Sequence, residues 1–141
     1  MIDISEKEVD DIVSIFNREV SLVCKFCIKR DKNNIDLEWI DKVVKTLKYE
    51  NPRYIIEICL DKLWDNKEKI IERDEKFFKD NNIEKKYIPN DKNKEWLEGL
   101  IEILRHFLFS LDTPDKDFIW DRFNNMLEMA IKYRINKNYF K

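Results

Sequence analysis

Apolar residues recur at intervals of three and four along most of the chain, which is the period of an amphipathic α-helix. The first such stripe predicts a helix at about 6–29, preceded by Ser5 and Glu8 in the spacing of a capping box. A second stripe predicts a helix at about 37–48, where Asp36 can cap the first turn. These two elements account for the N-terminal third of the chain.

Asn51 followed by Pro52 is a typical helix start, and it opens a third predicted helix at about 52–64 that is apolar on nearly all sides. Three further stripes predict helices at about 66–79, 92–111 and 114–135, with a polar loop near Pro89 and a basic tail at 136–141. No segment alternates at period two for long enough to predict a strand.

These patterns predict an all-α fold, with residues 1–141 forming a single compact domain of about six helices in an irregular bundle. Hydrophobic residues make up 43% of the chain and charged residues 40%, a balance typical of amphipathic helices around a core rather than of a disordered chain. The order of the helices in space does not follow from periodicity.

Charge and glycine content exclude several classes of function. A formal net charge of −2 argues against a dedicated nucleic-acid coat protein, which would be strongly basic. The single glycine, Gly99, excludes phosphate-binding loops and nucleophile turns that need several glycines. The first residues are mixed to acidic and contain no apolar stretch of the kind found in a secretory signal, and no apolar run approaches the roughly 18 residues that span a bilayer. We therefore expect an intracellular protein without membrane insertion.

Cys24, Cys27, Cys59 and His106 are residue types that could together hold zinc. Cys24 and Cys27, however, lie one turn apart inside a strongly periodic helix, which favours cysteines packed as small hydrophobic residues. His106 lies near Glu102 toward a polar helix face, and no nucleophile accompanies it. We therefore predict reduced thiols, no metal site, no cofactor and no catalytic residue.

Asp74 lies four residues from both Ile70 and Phe78, so a continuous helix would place its carboxylate in the apolar stripe. Burying a carboxylate is costly unless it is paired or hydrogen-bonded. We interpret Asp74 as a buried structural residue that either caps a helix restart or bonds to another helix. An acid in a pocket is the functional alternative.

The C-terminal segment combines cations with aromatic residues and has no acid after Glu128. It forms the predicted contact surface, whose members are Lys132, Arg134, Lys137, Tyr139, Phe140 and Lys141. Cations and aromatic rings together suit a protein partner or single-stranded nucleic acid. The structural alternative is a helix end whose cations complement the helix dipole.

Three segments carry a recognisable pattern: Pro52-Arg53-Tyr54-Ile55, the box from Ile71 to Phe78, and Leu111-Asp112-Thr113-Pro114 leading to Phe118-Ile119-Trp120 and Leu127. Over about residues 51–133 this pattern resembles small uncharacterised helical proteins of large nucleocytoplasmic (giant) DNA viruses. The resemblance implies a viral, intracellular setting in the virus factory or the virion. It carries over no catalytic residues.

Four tryptophans and nine phenylalanines supply the residue types that dominate protein interfaces. We therefore expect a non-enzymatic helical interaction or structural protein with a protein partner or self-association. Two alternatives stay open. One is a nucleic-acid accessory protein that binds through the basic tail, and the other is a helical modulator of host signalling with a groove for an amphipathic helix.

Overall fold

The computed structural model describes residues 6–80, 95–107 and 110–139, of which 91% are helical and none lies in a strand. The predicted all-α class is confirmed. The helices in these ranges are α1 (Glu6–Arg30), α2 (Ile35–Glu50), α3 (Pro52–Asp65), α4 (Lys67–Glu72), α5 (Glu75–Asp80), α6 (Glu95–Phe107) and α7 (Thr113–Tyr139). None of them combines the length and the apolar composition needed to cross a bilayer.

The two longest helices, α1 and α7, share the largest interhelical contact among the described residues. Arg30 at the end of α1 pairs with Asp115 in the first turn of α7. One turn earlier in α1, Phe26 stacks on Phe118 with ring centroids 5.2 Å apart and planes 20° apart. The residue numbers fall along α1 as they rise along α7, so the two helices run antiparallel.

Glu19 places a carboxylate inside this contact, with only 3% of the residue exposed. Its Oε2 lies 3.1 Å from Nε of Arg122, close enough for an ion pair although the N–H is not aligned as a hydrogen bond. Its Oε1 accepts a hydrogen bond from Nδ2 of Asn125 at 3.2 Å. The Arg122 guanidinium also lies over the ring of Phe118, 4.9 Å from the centroid. Because a buried carboxylate needs such partners, this cluster sets the register of α1 on α7.

The remaining helices pack around the α1–α7 pair. Asn17 of α1 donates from Nδ2 to the carbonyl of Pro52 at 2.9 Å, which joins α1 to the start of α3. On the opposite side, α2 packs against α6 at Gly99, the one glycine of the chain. A Cβ atom at Gly99 would lie 3.3 Å from Cδ1 of Ile40, tighter than most real Cβ contacts. The glycine therefore allows the close approach of α2 and α6.

The structure corrects the prediction of one continuous helix at 66–79, because α4 ends before α5 begins. Arg73 has a φ of 56°, the left-handed conformation in which helices often end, usually at glycine. The N–H groups of Arg73 and Asp74 donate to the carbonyls of Ile70 and Lys69 at 3.1 and 3.0 Å. These two bonds satisfy two of the carbonyls in the last turn of α4 and end the helix there.

The side chain of Arg73 anchors this helix end to α7. Its two terminal nitrogens donate to Oδ1 of Asp117 at 3.0 Å and to Oδ1 of Asp121 at 2.7 Å. The two aspartates are one turn apart on α7, so one guanidinium can bridge both. This contact between distant parts of the chain gives a reason for arginine at a position that would otherwise favour glycine.

Two helix ends also differ from the predictions. Asn34 rather than Asp36 caps α2, since its Oδ1 accepts from the N–H of Leu37 at 3.2 Å. The predicted tail at 136–141 is wrong for residues 136–139, which continue α7, and Asn136 is buried. Residues 140 and 141, the predicted cap at Ser5 and the loop near Pro89 lie outside the described ranges.

Removing one partner of the Glu19–Arg122 pair should destabilise the fold. For Arg122→Met we expect a loss of about 3 kcal/mol in the free energy of unfolding, because Glu19 would stay buried with Asn125 as its remaining partner. The double variant Glu19→Leu/Arg122→Met should recover part of that loss, since no charge is left buried. Urea unfolding measures both variants, and purely additive losses would show that the two side chains do not interact.

Arg73 offers a test of the left-handed helix end. Both Arg73→Ala and Arg73→Gly remove the contacts with α7, but only glycine adopts a positive φ without strain. We expect Arg73→Gly to be more stable than Arg73→Ala by about 1 kcal/mol in thermal or urea unfolding. Equal stability of the two variants would mean that residue 73 does not hold this conformation in solution.

Candidate interaction surface

All three cysteines lie in the core, where Cys24 and Cys27 are fully buried and Cys59 is nearly so. Burial raises the pKa of each thiol from 9.0 to about 12, so the thiols stay protonated near neutral pH. The described residues contain no cluster of three or more histidine, cysteine or acidic side chains placed to bind a metal. The side chain of His106 lies outside the described part of the structure.

Asp74 caps the restart of the helix, one of the two structural roles considered for it. Its Oδ1 accepts from the N–H of Phe77 at 3.0 Å, and Nζ of Lys69 donates to its Oδ2 at 3.4 Å. The cap to Phe77, followed by the contact with Lys69, lowers the pKa of the Asp74 carboxyl below its usual value. The prediction that Asp74 is buried is wrong, since 33% of the side chain is exposed. The break at Arg73 turns the carboxylate out of the apolar stripe.

The two C-terminal cations that can be placed are engaged within the chain. Nζ of Lys132 lies 3.3 Å from Oε1 of Glu128, one turn earlier on α7. The guanidinium of Arg134 lies over the ring of Trp64, 4.6 Å from its centroid. The side chains of Lys137 and Tyr139, together with Phe140 and Lys141, lie outside the described residues. The predicted C-terminal contact surface therefore stays a prediction, and its described part already has intramolecular partners.

A different surface stands out on α2. Three of the five large hydrophobic residues that the described structure exposes lie on this helix: Ile35, Trp39 and Tyr49, with 78%, 46% and 90% of the residue exposed. At 100° per residue, Trp39 and Tyr49 lie about 40° to either side of Ile35, so all three share one face. At 1.5 Å per residue the strip is about 21 Å long. We call it the α2 outer face.

The α2 outer face stays exposed because the opposite side of the helix supplies the core contacts. Leu37, Ile40 and Val44 are buried against α1, α3 and α6. No described helix packs on the outer side of α2, where Lys42 and Thr46 complete the strip and are also exposed. A helix with apolar residues on both sides needs a second contact to bury the outer set.

Charged residues border the α2 outer face. Glu38 is exposed in the first half of α2, while Lys45 is exposed in the second half and pairs with Asp41 at 2.8 Å. Lys48 instead points toward α1, where Nζ donates to Oγ of Ser21 at 3.0 Å. The border therefore carries both signs of charge, with Glu50 also exposed at the end of the helix. Large apolar side chains beside charged ones on one face are found in protein contacts.

Sequence reasoning missed this surface, although a signal was present. Trp39 lies outside the inward stripe of Leu37, Ile40 and Val44, and large aromatic residues on an outward face are uncommon. Ile35 lies four residues before Trp39, but it fell outside the helix predicted at 37–48. Placing the cap at Asn34 would have brought both residues onto one helical face.

Comparison of the chain with protein-family models, curated proteins and solved structures finds no match. The candidate surface is therefore defined by its own geometry and chemistry.

The buried thiols should ionise only at high pH. Since their pKa is raised by burial, their contribution to stability is fully present below about pH 9 and is lost as the pH rises toward about 12. We expect the native chain to react slowly with an aryl disulfide at neutral pH, and the denatured chain to react rapidly at all three thiols. A thiol that reacts rapidly in the native state would contradict its placement in the core.

Proposed function

We propose that the chain is a non-enzymatic helical interaction protein that binds a protein partner, or a second copy of itself, through the α2 outer face. The proposal is based on the alignment of Ile35, Trp39 and Tyr49 on a face of α2 that no described helix covers. Exposure of these apolar side chains to water costs free energy, and burial in a contact would remove that cost.

The energetics favour a contact centred on this strip. Burying a large apolar side chain stabilises a complex by roughly 1.5–3 kcal/mol, and tryptophan and tyrosine are the residues most often found at interface hot spots. A standard interface takes about 800 Å² from each partner, which exceeds what three side chains provide. The charged residues Glu38 and Lys45 therefore belong to the rim of the proposed contact, while Lys42 lies within the strip itself. A rim of this kind sets the orientation and the association rate more than the affinity.

For the biological setting, we propose a component of the virus factory or the virion of a large DNA virus. This part of the proposal is supported by the resemblance of residues 51–133 to small helical proteins of such viruses. A structural component acts through its contacts, which suits a helix face held rigidly by the core.

Replacing one of the aromatic residues of the strip with lysine should abolish the interaction. We expect Trp39→Lys and Tyr49→Lys to lose the protein partner in affinity purification from infected or native cells. If the contact is between copies, light scattering should show wild-type particles heavier than 17.4 kDa and variants that return to that mass. The physical reason is that each variant removes apolar area from the contact and adds an ammonium group that would have to lose its water there.

Ile135→Lys provides the matched control, because Ile135 is 53% exposed on α7 and lies outside the α2 outer face. This variant should keep both the partner and the mass of the wild type. Thermal unfolding of all three variants checks that each remains folded. Identical behaviour of Trp39→Lys, Tyr49→Lys and Ile135→Lys would exclude the α2 outer face as the contact.

A further inference from the structure

A cavity of about 140 Å³ lies among the described helices, away from the α2 outer face. Side chains of α1, α3, α4, α5, α6 and α7 form its wall, and α2 contributes none. Protein interiors are normally packed as densely as organic crystals, with few voids larger than a water molecule. Among the described residues this space is partly open, so it is a pocket that a small molecule can enter and not a sealed void.

The wall of the cavity is apolar. No nitrogen or oxygen atom of the described lining residues is exposed to the space, even though Lys62, Asn66 and Arg105 belong to the wall. These residues contribute their carbon atoms, and Lys62 and Arg105 each already interact with other residues. A water molecule in a cavity needs two to four polar partners, and this wall offers none. A charged ligand would likewise find no counter-ion.

Aromatic rings form one side of the cavity. Trp120 is central, with its ring 5.7 Å from that of Phe78 and 5.8 Å from that of Phe123, the latter in an edge-to-face arrangement. Leucine side chains of α6, including Leu97 and Leu100, belong to the same wall. A further ring placed among these groups would find both faces and edges to contact.

We propose that this cavity is a binding site for an uncharged apolar molecule the size of one aromatic ring. The volume supports the size, since an apolar cavity of about 150 Å³ stays dry and takes up benzene. The wall supports the chemical class, since it offers carbon atoms and rings and no polar partner. This site is separate from the α2 outer face, and neither proposal depends on the other.

The test uses the full chain with benzene as the probe and benzoate as its charged counterpart. Benzene should raise the melting temperature in a concentration-dependent way, because it binds the folded state only. Benzoate should give no shift, because its carboxylate would have to enter an apolar space. The absence of a shift with benzene, or an equal shift with benzoate, would overturn the proposal.

A substitution that fills the cavity tests whether benzene binds there. Leu100→Phe extends a side chain of the wall and should weaken benzene binding by about tenfold or more, because the added ring atoms occupy the space of the ligand. Leu37→Phe makes the same change at a buried core residue outside the cavity, where it should destabilise the fold by overpacking. Unchanged benzene binding by folded Leu100→Phe would place the ligand elsewhere and overturn the assignment.

Two variants with a smaller change in side-chain volume test the same site if Leu100→Phe does not fold. Val23→Ile adds one methylene to the cavity wall, and Val44→Ile adds the same group at a fully buried position outside it. We expect benzene binding to weaken in Val23→Ile and to stay at the wild-type level in Val44→Ile. Equal binding by these two variants would count against the site.

Discussion

A buried carboxylate governs how the two longest helices meet. Glu19 lies almost entirely out of solvent, and its oxygens are held by Arg122 and Asn125 of α7. Leaving a carboxylate unpaired at this depth would cost several kcal/mol, so arrangements of α1 and α7 that separate Glu19 from these partners are strongly disfavoured. The stacked rings of Phe26 and Phe118 then lie one to two turns further along the same contact. The pairing of Glu19 with Arg122 and Asn125 thus selects one register of α1 on α7 from those that apolar packing alone would allow.

The register of α1 on α7 also decides which faces of the other helices are left exposed. With α1 and α7 paired, α2 packs by its inner side against α1, α3 and α6, and the close approach at Gly99 holds it there. Its outer side, which includes Trp39, has no described helix to cover it. Elsewhere the described helices leave a partly open apolar cavity beside Trp120. The strip that no described helix covers and the apolar cavity lie at different places in the fold, since α2 contributes no side chain to the cavity wall, and the two proposals are therefore independent.

The segment around Arg73 shows why local patterns have limits. Its apolar spacing predicts one helix, and the apolar residues do occupy helices on both sides of the break. The break itself comes from Arg73 bridging Asp117 and Asp121, more than forty residues away, and from Asp74 capping the following turn. The spacing of apolar residues indicates which residues prefer burial, but it contains no information on a contact with a distant helix. Asp74, which this spacing places in the core, therefore lies at a helix cap instead.

The sequence by itself determined the helical class, most helix positions and the burial of the three cysteines, because each follows from spacing along one helix. It also held a signal for Glu19, which comes three residues after Phe16 and four before Val23 on the inward side of α1. Only the tertiary structure decided that Arg122 would meet Glu19, that Arg134 would cover Trp64, and that no described helix would cover the outer side of α2. These outcomes depend on which helix lies beside which. Amphipathic period specifies that a face must be buried, and it does not specify the neighbour that buries it.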